Sequence, residues 1–108
     1  MLTQPDCIAA YPVVLGGPVT VRNIQSVHAW LLEALRRNPV VEIDCSAVTD
    51  VDLSLVQTIL AARRSAAAFG ATLTLAHPAS GALLDTLTRA GLLGGAASTD
   101  DAFWMKKD

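Results

Sequence analysis

Along this chain apolar and polar positions alternate in blocks whose spacing changes from one stretch to the next. Tyr11 to Leu15 (YPVVL) and Val19 to Val21 (VTV) are short β-branched or apolar runs. Gly16-Gly17-Pro18 separates them and sets a permissive φ beside a fixed one, so the pattern predicts two strand pieces joined by a turn or bulge, a hairpin-like edge. From Ile24 the period lengthens. Ile24, Val27, Leu31, Ala34 and Leu35 recur at three- and four-residue spacing, which predicts a helix capped by Asn23 and stopped at Asn38-Pro39, with Trp30 and Leu32 outside its apolar stripe. Val40 to Asp44 (VVEID) and Thr72 to Ala76 (TLTLA) read as buried strands. Between them lies a second helix, from about Ser54 to Phe69, stopped by Gly70. A strand, a helix and a strand in this order form a βαβ unit with parallel strands.

A third helix is predicted from Ser80 to Arg89, led in by Pro78 and closed by Gly91. Beyond a Gly/Ala/Ser link, a short amphipathic tail helix carries Phe103, Trp104 and Met105 and is expected to cover the sheet edge or the first helix. The second helix is expected to turn Leu55, Ile59, Ala62, Ala66 and Phe69 to the core and to present Ser54, Gln57, Ala61, Arg64 and Ala68 on the other side. Trp30 and Trp104 are further interface candidates whose commoner fate is core or edge packing.

The chain's 108 residues suffice for one domain that folds without a metal or disulfide. Hydrophobic residues are 52% of the chain but are interrupted every few positions, so no run reaches the roughly 20 apolar residues of a membrane span. The opening MLTQPDCIAAYPVV lacks a basic stretch before an apolar one, which argues against a secretory signal and sets cytoplasmic location as the expectation. The net charge of −2, with both signs interspersed, provides neither a basic stripe for nucleic acid nor a polybasic anchor for lipid. Cys7 and Cys45 have no metal-ligand spacing and read as reduced structural thiols.

Candidate catalytic chemistry is sparse. His28 lies in the first helix and His77 closes a strand before Pro78; each reads as a structural or exposed histidine more readily than as a base, and GxSxG, HExxH and a phosphate-binding glycine loop are all missing. The expectation is a chain that is not an enzyme and takes no cofactor. A closed pocket lined by Asp44, Ser46, Asp52 and His77 would argue the other way.

The polar segment Asp44 to Gln57, DCSAVTDVDLSLVQ, leaves the central strand where an α/β sheet presents its functional groups. Its pattern Asp44-x-Ser46-x-Val48-x-x-Val51-Asp52-x-Ser54 resembles the signature of the STAS family, the sulfate-transporter and anti-sigma-factor-antagonist domains. LGGPVTVRNIQSVHAWLLEAL is similar to that family's opening strand, turn and first helix, and FGATLTLAHPASGALLDTLTRAGL to its closing strand, His-Pro step and last helix. The resemblance covers about residues 11 to 93.

It implies one domain over residues 1–108, with a core at 11–93 and a helical tail at 98–107, built on a mixed four- to five-stranded sheet with helices mainly on one face. It further implies a non-catalytic interaction module of bacterial signalling, binding a kinase-like (anti-sigma factor) or chemosensory protein. The alternative partner class is a lipid-transport ATPase complex of which the chain is a subunit. In the antagonists the residue after the Asp is a phosphorylated Ser or Thr. Here it is Leu53, which cannot accept a phosphate, and Ser54 is the hydroxyl left beside it. A phosphate there adds roughly −1.5 to −2 charges next to Asp52. Ser54-x-x-Gln57 also fits a capping box, with Asp52 as the competing cap. Asp52, Leu53, Ser54, Gln57, Ala61 and Arg64 form the candidate partner surface, because small side chains of low charge let a partner approach closely.

Overall fold

The computed structural model describes residues 10–92 and 101–105. Three strands, β1 (Tyr11–Val19), β2 (Val40–Val51) and β3 (Thr72–Leu75), lie in the order β1-β2-β3. Both pairings are parallel. Helix α1 (Ile24–Arg37) links β1 to β2, and α2 (Leu53–Phe69) links β2 to β3. Right-handed crossovers between sequential parallel neighbours place both helices on one face of the sheet, where they pack on each other. Then come α3 (Gly81–Arg89) and the short α4 (Asp101–Met105). No helix among the described residues is long and apolar enough to cross a membrane.

Burial along the strands shows that the helices cover one face. Val13, Leu15, Val41, Ile43, Leu73 and Leu75 are buried, while Pro12, Val14 and Thr72 on the opposite side are exposed and Glu42, Asp44 and Thr74 half-buried. The core closes when Val27, Leu31, Ala34 and Leu35 of α1, Leu55, Val56, Ile59, Ala62 and Ala66 of α2, and Leu83 and Leu87 of α3 descend onto that face. Gly70 ends α2 at φ 73°, the left-handed region that a side chain disfavours.

The expected α/β class is observed, and the described residues supply three strands, all parallel, of the mixed four- to five-stranded sheet that was expected. Other expectations need correction. The hairpin-like edge is one strand, because Gly16, Gly17 and Pro18 stay paired with Ala47, Val48 and Asp50. Strand β2 runs on to Val51, well past Asp44. It carries one residue more than β1 between the pairs Val14↔Asp44 and Gly16↔Ala47, and again between Gly17↔Val48 and Pro18↔Asp50. Each extra residue is a bulge that shifts the in-out alternation, so the continuing strand looks like a polar loop. Pro18 is tolerated because β1 is an edge strand among the described residues.

Asn23 makes no side-chain cap bond to α1. Its side chain instead closes the preceding turn, accepting from the Thr20 N–H at 2.9 Å and donating to the Pro18 carbonyl at 2.9 Å. Phe69 is exposed at the end of α2, with the Arg36 guanidinium of α1 5.6 Å from its ring centre. Trp104 joins the core and Trp30 stays 40% exposed. The tail sits at β3, where the Ala79 N–H donates to the Trp104 carbonyl at 2.7 Å, and its Phe103 lies against Arg63 of α2. The ends of the expected tail helix, 98–100 and 106–107, and Cys7 fall outside the described residues.

Candidate functional site

The pairing Val19↔Val51 brings the ends of β1 and β2 side by side, so the turn after β1 and the start of α2 are neighbours. Asp52 joins them. One carboxylate oxygen accepts from the Ser54 N–H at 3.0 Å and from the Ser54 hydroxyl; the other accepts from the Val21 N–H at 2.9 Å. Asp52 is therefore the N-cap of α2, and the Ser54–Gln57 capping box does not form. Ser54 lies inside the helix, its hydroxyl donating to Asp52, while Gln57 is exposed. The Ser54 hydroxyl, then the Val21 N–H, hold the Asp52 carboxyl below its ordinary range, so it is ionised at neutral pH.

This brace presents apolar side chains to solvent. Val21 is 69% exposed and Leu53 44% exposed, and both adjoin groups bound by or next to Asp52. Along α2 the exposed side continues through Gln57 and Arg64, with Ala61 half-buried between them. Arg64 borders a shallow groove with Leu60, Arg63 and Ala67. The six residues expected to form the partner surface thus share the start and one side of α2. Val21 was not among them, since VTV reads as strand; the strand in fact ends at Val19, and the polar Thr20, Arg22 and Asn23 around Val21 mark the turn.

The other polar cluster lies elsewhere. Asp44 repeats the geometry of Asp52, accepting from the Ser46 N–H at 2.9 Å and the Ser46 hydroxyl at 2.6 Å, and these bonds hold its carboxyl low. The exposed His77 places Nε2 4.0 Å from the Asp44 carboxylate. Because the Ser46 hydroxyl donates to Asp44, it is not in a nucleophile–base bond with His77. Asp44 faces Val14 and Asp52 follows the residue facing Val19, so about six strand steps at ~3.3 Å separate them by about 20 Å. Asp44, Ser46 and His77 come together; Asp52 does not join them. His28 is exposed on α1. Burial pushes the Cys45 thiol up to about 12, so it is a protonated packing group at neutral pH.

Among the described residues, a three-stranded parallel sheet with helices on one face and a braced apolar edge where β2 passes into α2 define the class as a small α/β domain. A family model described as "Mlab, STAS domain" matches residues 9–94, most of the chain. The chain belongs to the STAS-domain family, whose members generally mediate protein–protein interactions. No curated protein and no solved structure matches it. Helix α4 lies outside the matched residues.

Proposed function

We propose that this chain is a non-catalytic docking module of bacterial signalling that binds a kinase-like or chemosensory protein through the start and exposed side of α2, constitutively and without a phosphorylation switch. The observation that carries the reading is the exposed apolar pair Val21 and Leu53, held together by Asp52 at the start of α2. By resemblance, the phosphorylated hydroxyl of the switching relatives belongs at position 53, and leucine occupies it. The neighbouring Ser54 hydroxyl is already bound to Asp52. A phosphate there would set about −1.5 to −2 charges against that carboxylate and break the brace. A partner fitted to this apolar edge meets Leu53 and Val21 first, then Gln57, Ala61 and Arg64.

The same lack of an acceptor favours a second reading, a permanent subunit of a lipid-transport ATPase complex. One experiment tests both. Tagged wild type, Leu53→Asp, Ser54→Asp and Ser54→Ala are used as baits in the native cell, the partners are identified by mass spectrometry, and the wild-type bait is scanned for phosphoserine. A charge at the centre of an apolar contact costs about 2 kcal/mol or more, so Leu53→Asp and Ser54→Asp weaken capture more than tenfold, Ser54→Ala retains it, and Ser54 is unmodified. A kinase-like or receptor partner supports the first reading and a transport ATPase the second. Retention of the partner by Leu53→Asp removes the docking surface, and stoichiometric phosphorylation of Ser54 removes the constitutive mechanism.

A further inference from the structure

Trp104 is the bulkiest fully buried side chain among the described residues, at 1% exposure, yet it lies outside the stretch matched by the family model. The described strands and α1 to α3 all lie within the matched residues 9–94, whereas α4 lies beyond them. Five residues are too few for a helix to persist by itself in water, so α4 exists because it is seated. Its described contacts are specific, and Phe103 and Met105 pack against the core that Trp104 joins. Trp104 enters the core, its carbonyl accepts from the Ala79 N–H at 2.7 Å, and the Phe103 ring meets Trp104 edge-on at 5.0 Å. The Arg63 guanidinium lies 4.2 Å from the centre of the Phe103 ring.

Arg63 ties this tail to the candidate docking surface, since it lines the same shallow groove as Arg64 and Leu60. We propose that α4 is a latch that opens as a unit while the rest of the domain stays folded. Seated, it fills the slot beside Ala79 and holds Arg63 over Phe103. Open, it uncovers an apolar slot and parts Phe103 from Arg63 at the edge of the α2 groove. A five-residue helix that lies outside the matched family unit is the kind of element that opens below the global unfolding free energy. This inference stands on the tail's contacts and is independent of which partner the α2 surface binds.

Native-state amide hydrogen exchange by NMR on the full chain tests it, with Phe103→Ala as the variant. Two amides close together in the sequence report on different structures. The Ala79 N–H is bonded to the tail, while the Ala76 N–H is bonded to the Ile43 carbonyl at 2.8 Å, continuing the β2–β3 ladder. The latch predicts that Ala79 exchanges faster than Ala76 and that its rate changes little with low urea, because a local opening exposes little surface. Losing the aromatic pair and the cation–π contact, Phe103→Ala raises the Ala79 rate about fivefold or more and leaves Ala76 unchanged. Equal rates with the same urea dependence, or acceleration of both amides together, overturn the latch and make α4 an ordinary part of the cooperative core.

Discussion

Replacing Trp104 with alanine removes a buried indole from a segment attached from outside the family unit. A fully buried tryptophan contributes up to ~250 Å² of burial, worth at most about 6 kcal/mol at ~25 cal/mol per Å². Measured losses for aromatic-to-alanine changes in cores run about 3–5 kcal/mol. Here the loss has a ceiling: once α4 lets go, the substitution costs nothing more, so it cannot exceed the free energy of seating the tail. That places the expected loss at the lower end, about 3 kcal/mol. For a domain of this length each kcal/mol shifts Tm by about 4 °C, giving a fall of about 12 °C. Thermal unfolding followed by far-UV circular dichroism measures it. Fluorescence supplies a second reading, because the chain has only two tryptophans and Trp30 is 40% exposed. Trp104→Ala therefore removes the short-wavelength emission and leaves the solvated one. A chain ending at residue 94 must lose at least as much stability as Trp104→Ala. A Tm change under about 3 °C refutes the estimated seating free energy of the tail, and retention of the short-wavelength emission in Trp104→Ala refutes the placement of Trp104 in the core.

Adjacent glycines separate conformation from space. Gly17 has φ +66°, so Gly17→Ala costs about 1 kcal/mol in urea unfolding, whereas a Cβ on Gly16 meets the Ala47 Cβ at an ordinary 3.7 Å and Gly16→Ala stays within about 0.5 kcal/mol; equal effects contradict the bulged register of β1. Asp44 and Asp52 both have depressed carboxyl values, so the unfolded chain takes up these protons first as the pH falls. Their stabilisation is complete above the unfolded value near ~3.9 and is lost as pH drops through the lower folded values. The urea midpoint should decline below about pH 4, less steeply in Asp52→Asn, and an identical acid profile in that variant contradicts the brace. Cys45, with its thiol pushed up to about 12, should resist iodoacetamide at pH 8 in the native protein and react on unfolding, as read by peptide mass mapping; rapid native labelling contradicts its burial.

Local signals were the legible ones. The stripe Val27, Leu31, Ala34, Leu35 and the stop at Gly70 are properties of neighbouring residues, and both appear as expected, as does the parallel β2-α2-β3 unit. What the sequence hid depends on partners distant along the chain. Phe69 has the spacing of a core residue, but it falls at the end of α2 where Arg36 covers it instead. Nothing local to FWM says that its tryptophan enters the core at β3. The start of α2 was singled out through resemblance, and the structure places Asp52 there as the cap of α2 and Ser54 bound to it. Val21 was not legible, because its exposure depends on where β1 stops.

The two Asp-x-Ser triplets show why that stopping point matters. Asp44-Cys45-Ser46 and Asp52-Leu53-Ser54 make the same local bonds, the carboxylate accepting from the serine N–H and hydroxyl. Yet the first sits within a strand and the second begins a helix. The difference lies in β1. After Ser46, β2 finds Gly16 opposite Ala47 and pairing resumes beyond the bulge. After Val51 no β1 residue remains, because Asn23 has already folded the chain back on Thr20 and Pro18. The backbone from Leu53 on must satisfy its own hydrogen bonds, and Leu53 to Phe69, free of Gly and Pro, do so as a helix. The turn that ends β1 thereby sets where α2 starts, makes Asp52 its cap, and leaves the second carboxylate oxygen free to hold Val21. The apolar edge on which the docking proposal rests is a consequence of strand length, so altering the Asn23 turn should move Val21 and Leu53 together.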